Sequence, residues 1–249
     1  MIKGFYSGAS SLISQQTNMD TIANNVANSS TTSYKPQTVS FSALMYKSIP
    51  GGGGPSNFIE SGSGTRVIKS GINFKQGELI STGVPTDCAI IGDGFFALES
   101  GDGKISYTRD GCFSLSLEGN STYLVNGEGH YVLDQSGKKV QVDPVTTKKD
   151  DKGVSTTSGG FDSSKVGVFQ FPNQYGLELT GGNRYLVTEQ SGEGEAVKNP
   201  KVEQGYLEAS GVNVAQEMVK MIEASKSFSF GSRVVQTTDD MEKTINQLR

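Results

Sequence analysis

The sequence predicts an α+β chain. A long helix at each end pairs with the other in coiled-coil fashion as an inner domain, and an all-β domain is inserted between them. Three observations carry this reading. Of the 32 glycines, all but Gly4, Gly8 and Gly231 lie between residues 51 and 211, and no proline falls in 1–35 or 212–249. Helix breakers are thus confined to the middle. Apolar residues at both ends recur every three or four positions, the period of one helix face. Turn-forming clusters in the middle recur about every eight to ten residues, the rhythm of consecutive hairpins. The expected divisions are 1–35 (N-terminal helical part), 36–65 (connector), 66–205 (β domain) and 206–249 (C-terminal helical part).

The N-terminal helix carries Ile2, Phe5, Ala9, Leu12, Gln16, Met19, Ala23 and Val26 in alternating steps of three and four, a heptad seam with one polar member. It is expected to fade after Ala27, where Asn28 to Ser33 offers side chains that compete with the backbone for hydrogen bonds. The C-terminal helix carries Val214, Met218, Met221, Phe228, Val235, Met241, Ile245 and Leu248, with Ser225, Ser232 and Thr238 in the gaps. Asn213 followed by Gln216 forms a capping box that sets the start near Val214, and Glu217 stands where a hydrophobic staple needs an apolar residue. Such a helix is about 50 Å long, too long for an ordinary compact domain to cover. Each seam can pack on its own domain or on another copy. The second reading is favoured, because Gln16 suits partner selection and because the end helices match each other and nothing in the middle. A lone two-helix hairpin buries few apolar side chains for the residues it orders. Both ends are therefore expected to be loose in a free monomer and to order under neighbouring subunits.

In the connector, Tyr34-Lys35-Pro36 is expected to be extended, and Phe41, Leu44, Met45 and Tyr46 suggest a short helix. Pro50 to Pro55, with Gly51 to Gly54 between, reads as a flexible loop. It is either a solvated linker or an insertion at a subunit contact. In the β domain, turns are expected at Gly92-Asp93-Gly94, Gly101-Asp102-Gly103, Asp110-Gly111, Glu118-Gly119-Asn120, Asn126-Gly127 and Ser136-Gly137. Strands lie between and beyond them: Cys88 to Ile91, Phe95 to Leu98, Ile105 to Thr108, Phe113 to Leu117, Tyr123 to Val125, Tyr131 to Leu133, Val166 to Phe171 and Arg184 to Thr188. Val145 to Phe161 is polar and reads as a loop or a weak excursion.

Composition narrows the function. A net charge of −4 and a pI near 5.2 give no electrostatic case for nucleic acid. No apolar run approaches the ~18 residues of a membrane span, and no cleavable export signal is apparent. The chain is expected to stay in the cytoplasm or to leave by a route that does not cleave it. Gly92-Asp93-Gly94-Phe95-Phe96-Ala97 formally matches a dinucleotide fingerprint. That motif must open a helix, whereas strand-like residues follow here, so a hairpin turn is expected. His130, the one histidine, lacks ligand-type neighbours and reads as a strand residue. Cys88 and Cys112 read as two buried thiols, and the aspartates sit in turn contexts. No catalytic residue, cofactor, metal site or small-molecule substrate is expected.

Four separated motifs carry a family resemblance. Thr21-Ile22-Ala23-Asn24-Asn25-Val26-Ala27-Asn28, with Thr31-Thr32-Ser33-Tyr34-Lys35, resembles the N-terminal signature of bacterial flagellar rod and hook proteins. Gly77-Glu78-Leu79, Thr82 to Asp87, Gly92 to Phe96 and Tyr107 to Phe113 resemble that family's central β domain. Gly205 to Val214, with Glu217-Met218, resembles its C-terminal signature. The chain departs at Ser33, where the family usually has Gly, at Gly211, where it has Asn, and at Thr86, where it has Leu. The resemblance implies an axial structural subunit whose paired terminal helices line a central channel, with the β domain outside. It implies a helical homopolymer, contact with adjacent rod and hook subunits, passage through the flagellar type III export apparatus, and a place in the basal body, in the periplasm or cell-wall space. Length, Gln15 to Asp20 and Leu44 to Pro55 look most like the distal-rod type. The other rod subunit of intermediate size and a short hook-type protein are alternatives. A different class, a secreted β-domain enzyme or glycan-binding module with helical oligomerisation arms, places the function in the β domain instead. For a free monomer, removing both ends is expected to leave the far-ultraviolet helix signal nearly unchanged. A large drop would show that the ends are helical before assembly.

Overall fold

The structure is a computed structural model describing residues 2–50, 58–119, 121–142, 146–149, 155–158 and 163–248. It is α+β, with two compact units. The first comprises Met1–Ser29, Pro36–Asn73 and Val212–Arg249, the second Ser30–Lys35 and Phe74–Gly211.

In the first unit, helices α1 (Ile2–Ala27) and α2 (Val214–Gln247) run antiparallel. Gly4 lies opposite Thr238, and Gly8 opposite Val235. Further along, Leu12 faces Gly231 and Asn25 faces Glu217. The capping residue is the expected one: Asn213 Oδ1 accepts from the Gln216 N–H at 3.2 Å. At the other boundary, Asn28 closes α1 by donating from Nδ2 to the Asn24 carbonyl at 2.9 Å. In the described chain the two helices are formed and take each other as partners, where the sequence suggested loose ends awaiting other copies.

The connector contains no helix at Phe41 to Tyr46. Instead, Gln37–Ala43 pairs antiparallel with Thr65–Ile72, with a bulge between Ser40 and Phe41. Thr38-Val39-Ser40-Phe41-Ser42 alternates with period two and includes β-branched residues, which a pleated surface accommodates better than a helix does. Thr65–Ile72, placed by the sequence in the β domain, thus belongs with the helices, while Ser30–Lys35 belongs with the β-rich unit. Lys47–Pro50 pairs with Phe58–Ser61; the expected Gly51–Gly54 loop lies outside the described residues. Thr65 touches α1, its N–H donating to Ser10 Oγ and its carbonyl accepting from Ser14 Oγ, both at 3.4 Å.

The second unit is built on one antiparallel sheet. Its order is Gln141–Val142, Ser121–Asn126, Tyr131–Val132, Phe95–Glu99, Ile105–Thr108, Arg184–Leu186 and Glu178–Gly181. Phe113–Glu118 pairs with Ser121–Asn126, and Val168–Gln170 with Phe95–Glu99. The central strand Phe95–Glu99 is apolar at consecutive positions because both its faces are covered. Phe96 and Leu98 enter a core with Phe113, Leu124, Val132 and Val168. Phe95 turns the other way into an aromatic cluster, its ring 5.7 Å from Phe74, 5.8 Å from Phe171 and 5.5 Å from Tyr185. The preceding Gly92-Asp93-Gly94 is a turn and opens no helix. Gly94 has φ 148°, and a Cβ there would stand 2.5 Å from Val168 Cγ1. Within Val145 to Phe161, Thr146–Lys149 and Ser155–Ser158 form a two-stranded ribbon; the remainder lies outside the described residues.

Three buried charges hold this unit. Glu208 Oε1 meets Lys35 Nζ at 2.6 Å, and its Oε2 meets Arg109 Nε at 2.7 Å, with all three side chains at most 2% exposed. The Gly77 N–H adds a bond to Oε1 at 2.6 Å. Lys35 Nζ also donates to the Lys75 carbonyl, and Arg109 Nη1 and Nη2 to the carbonyls of Gly94 and Gly92. Burial acts against the Glu208 charge, but Arg109, Lys35 and the Gly77 N–H outweigh it and hold the carboxyl below its usual range. Burial also pulls Lys35 down, against the support of Glu208.

A carboxyl with a depressed folded pKa contributes stability above its unfolded value, about 4.3, and loses it as pH falls through the lower folded value. The gap in urea midpoint between the native chain and Glu208→Gln is therefore expected to be widest near neutrality. It should narrow as pH falls below about 4.3. A gap independent of pH would refute the assignment.

Candidate subunit interface

The helix pair of the first unit is joined through small residues. A Cβ at Gly8 would lie 2.9 Å from Val235 Cγ2, and one at Gly231 would lie 3.1 Å from Leu12 Cδ2. Contacts this tight hold the backbones together and leave little room between them for large side chains. The inner line of α2 is Glu217, Met221, Ala224, Phe228, Gly231, Val235 and Thr238. On α1, Gly8, Leu12 and Asn25 meet it, while the buried Ser14 is bonded instead to the carbonyls of Ser10 and Thr65.

The residues expected at the interface divide accordingly. Met221, Phe228 and Val235 face inward and are half-buried, while Val214, Met218, Met241, Ile245 and Leu248 are exposed. On α1, Phe5, Gln16 and Ala23 are exposed, and Ala9, Leu12, Met19 and Val26 are half-buried, Leu12 directly against Gly231; of Ile2 only the backbone is described. In α2 the division follows from the spacing: Met221, Phe228 and Val235 stand seven residues apart, whereas Met241 follows Val235 by six, which turns it, with Ile245 and Leu248, roughly 80–140° away from the inner line. The structure adds apolar residues that the seam missed. Phe230 is 64% exposed, Ile13 68% and Tyr6 66%, and Val219, Ile222 and Val234 are exposed as well. Their signal was a second line, Phe230/Val234 and Met241/Ile245, each pair four residues apart. Together these side chains present an apolar surface along both helices, with no cover among the described residues of the unit.

The residues of the N-terminal motif divide too. Asn25, 1% exposed, is a structural staple. Its Nδ2 donates to the Gln37 carbonyl at 2.8 Å and to Glu217 Oε2 at 3.0 Å, and its Oδ1 accepts from the Gln37 N–H at 3.0 Å. Glu217 Oε1 also accepts from Lys220 Nζ at 2.6 Å. The absent staple residue at 217 is thereby explained, because that position supplies a buried acceptor. Asn24 and Asn28 form the exposed end of α1, and Ala27 is exposed. Tyr34 and Lys35 are buried in the second unit.

Sites of chemistry are sparse. Cys88 is buried, its thiol pushed up to about 12 by burial and then by Asp87. Cys112 is exposed, not buried as expected, because it follows Gly111, whose carbonyl accepts from the Cys88 N–H, in the turn before Phe113–Glu118. His130 sits just before the strand Tyr131–Val132, its Nε2 2.8 Å from Arg184 Nη1 and 3.3 Å from Glu128. Among the described residues, no cluster of three or more His, Cys, Asp or Glu is placed to hold a metal, and no helix is long and apolar enough to cross a membrane.

An antiparallel pair of terminal helices with an uncovered apolar surface, in a chain that also carries a β-rich unit, has the features of an assembling structural subunit. Comparison with known proteins agrees. Residues 5–35 match the family described as Flagella basal body rod protein. Residues 89–162 match Flagellar hook protein FlgE/F/G D1 domain, and 203–248 match Flagellar basal body rod FlgEFG protein C-terminal. The chain is 31% identical to the flagellar basal-body rod protein FlgG of Borreliella burgdorferi, over 100% of this chain and 99% of that protein. It is 32% identical to FlgG of Buchnera aphidicola (from Schizaphis graminum) and 30% identical to FlgG of Bacillus subtilis, each over the whole of both chains. The chain belongs to the flagellar basal-body rod protein family. It is accordingly a structural component of the basal-body rod, assembling with other rod and hook components.

Replacing Asn25 with Leu keeps the volume but removes its bonds to the Gln37 backbone and to buried Glu217. Loss of a bond to a buried polar group costs about 1–3 kcal/mol. Earlier thermal loss of helix signal is expected, and an unchanged melt would show that water replaces Asn25 without cost.

Proposed function

We propose that this chain is the distal-rod subunit, polymerising helically through the outer faces of α1 and α2 into a hollow shaft between motor and hook that serves motility. The observation that carries the reading is the uncovered apolar line Phe230, Val234, Met241, Ile245 and Leu248, together with Phe5, Tyr6 and Ile13. Exposed large apolar side chains in a continuous patch are costly in water and mark surfaces made to be covered. A second copy presents the same patch, and repeated copies related by one rotation and rise give a filament. Two features support the distal assignment: full-length likeness to proteins named FlgG, and the distal-rod character of Gln15 to Asp20 and Leu44 to Pro55. Passage through the flagellar type III export apparatus in an unfolded state, and absence of catalytic activity, belong to the same reading.

Met218→Glu and Phe230→Glu place a charge on exposed positions, so the monomer is expected to keep its helix signal and its melting temperature. Filament formation under negative stain, and motility in a strain carrying either variant, are expected to be lost. Normal filaments from both variants would sink this assignment of the interface.

A further inference from the structure

Glu208 is the one carboxylate whose oxygens meet Lys35 and Arg109 at ion-pair distance, among the described residues. The two cations come from the early and middle parts of the chain. The carboxylate comes from residues 206–211, the last of the β-rich unit. The same short segment completes the backbone ladder. Tyr206–Glu208 pairs antiparallel with Leu79–Ser81. The Glu208 carbonyl accepts from the Ser33 N–H at 2.8 Å, and the Gly211 N–H donates to the Tyr34 carbonyl at 2.9 Å. Closing the site without the carboxylate would bury Lys35 and Arg109 as two like charges, each with only backbone carbonyls as acceptors. An uncompensated buried charge is far less tolerable than an absent ion pair.

We propose that Glu208 is a completion latch. The Lys35–Arg109 cation pair keeps the β-rich unit open until the 206–211 segment delivers the neutralising carboxylate, so that only a chain carrying its late segment closes. Closure changes the site from two positive charges to one. A chain that emerges N-terminus first thus holds the β-rich unit unlatched until residue 208 is free to dock. The device is internal to the β-rich unit and does not depend on the interface assigned to the helices.

Cys88 provides the probe, because it is buried in this unit and free, whereas Cys112 is exposed and reacts at once. In the full chain, the slow phase of thiol labelling reports opening of the unit. Glu208→Gln is expected to accelerate that phase about a hundredfold. Adding Lys35→Met to Glu208→Gln is expected to slow it again at least about tenfold, although Lys35→Met alone accelerates it. This reversal of sign is what removal of an unneutralised cation predicts. If Lys35→Met accelerates labelling equally in both backgrounds, or if Glu208→Gln leaves the rate unchanged, Glu208 is a packing and hydrogen-bonding residue and no latch. Should Glu208→Gln not fold, folding of the double variant supports the latch, and failure of the double variant overturns it.

Discussion

Neutralisation of two buried cations by a single carboxylate is the constraint on which the β-rich unit depends. Glu208 touches residues drawn from across the unit's sequence: Lys35, Gly77 and Arg109 through its side chain, and Ser33 through its backbone. Arg109 in turn fixes the carbonyls of Gly92 and Gly94. The turn that introduces the central strand is therefore held by the same charge that receives the chain from the first unit. A buried ion cluster contributes little net stability compared with apolar replacements of the same shape. What it adds is selectivity, since every wrong arrangement of these segments leaves a charge without a partner in a dry interior.

The helix pair obeys a different constraint. Its two stripes contain more apolar side chains than one antiparallel contact can bury. A stripe stays on one side of a helix only while its steps of three and four alternate; successive steps of three, from Ser232 through Val235 and Thr238 to Met241, turn it away from the contact. In α2 the consequence is direct. Met221, Phe228 and Val235 remain inside, and Met241, Ile245 and Leu248 emerge toward the second line.

Much of this was legible. The cap at Asn213, the end of α1 near Ala27 and most of the hairpin strands follow from local chemistry that the surrounding fold does not override. The connector strands were not legible. Their pairing partner lies beyond a glycine-rich interruption, and a short apolar run such as Phe41 to Tyr46 has no periodicity of its own to decide between helix and strand. Glu208 was read only as part of a motif, because a glutamate in the strand Tyr206-Leu207-Glu208 looks solvent-facing until the two cations are placed beside it. Asn25 and Lys35 stood in the right motifs, but their burial depends on partners far away in sequence, Glu217 and Glu208.

The three glycines that interrupt otherwise helical ends bear most directly on assembly. A glycine within a helix costs roughly 0.5–1 kcal/mol relative to alanine, and three of them in two helices suggest weak helices. All three lie at the contact of α1 with α2. At Gly8 and Gly231 a larger residue would press the backbones apart, whereas at Gly4 a Cβ would meet only Thr238 Oγ1 at 3.9 Å. At these positions the pair holds small residues inside, next to the half-buried Met221, Phe228 and Val235, and it carries further large apolar ones, Phe230, Ile13 and Tyr6 among them, outside. That outer surface is unfavourable for a chain that remains alone in water. On the proposed assembly it becomes favourable once the outer faces of several pairs meet. On that reading the glycines act on assembly indirectly, by drawing the two backbones together at Gly8 and Gly231.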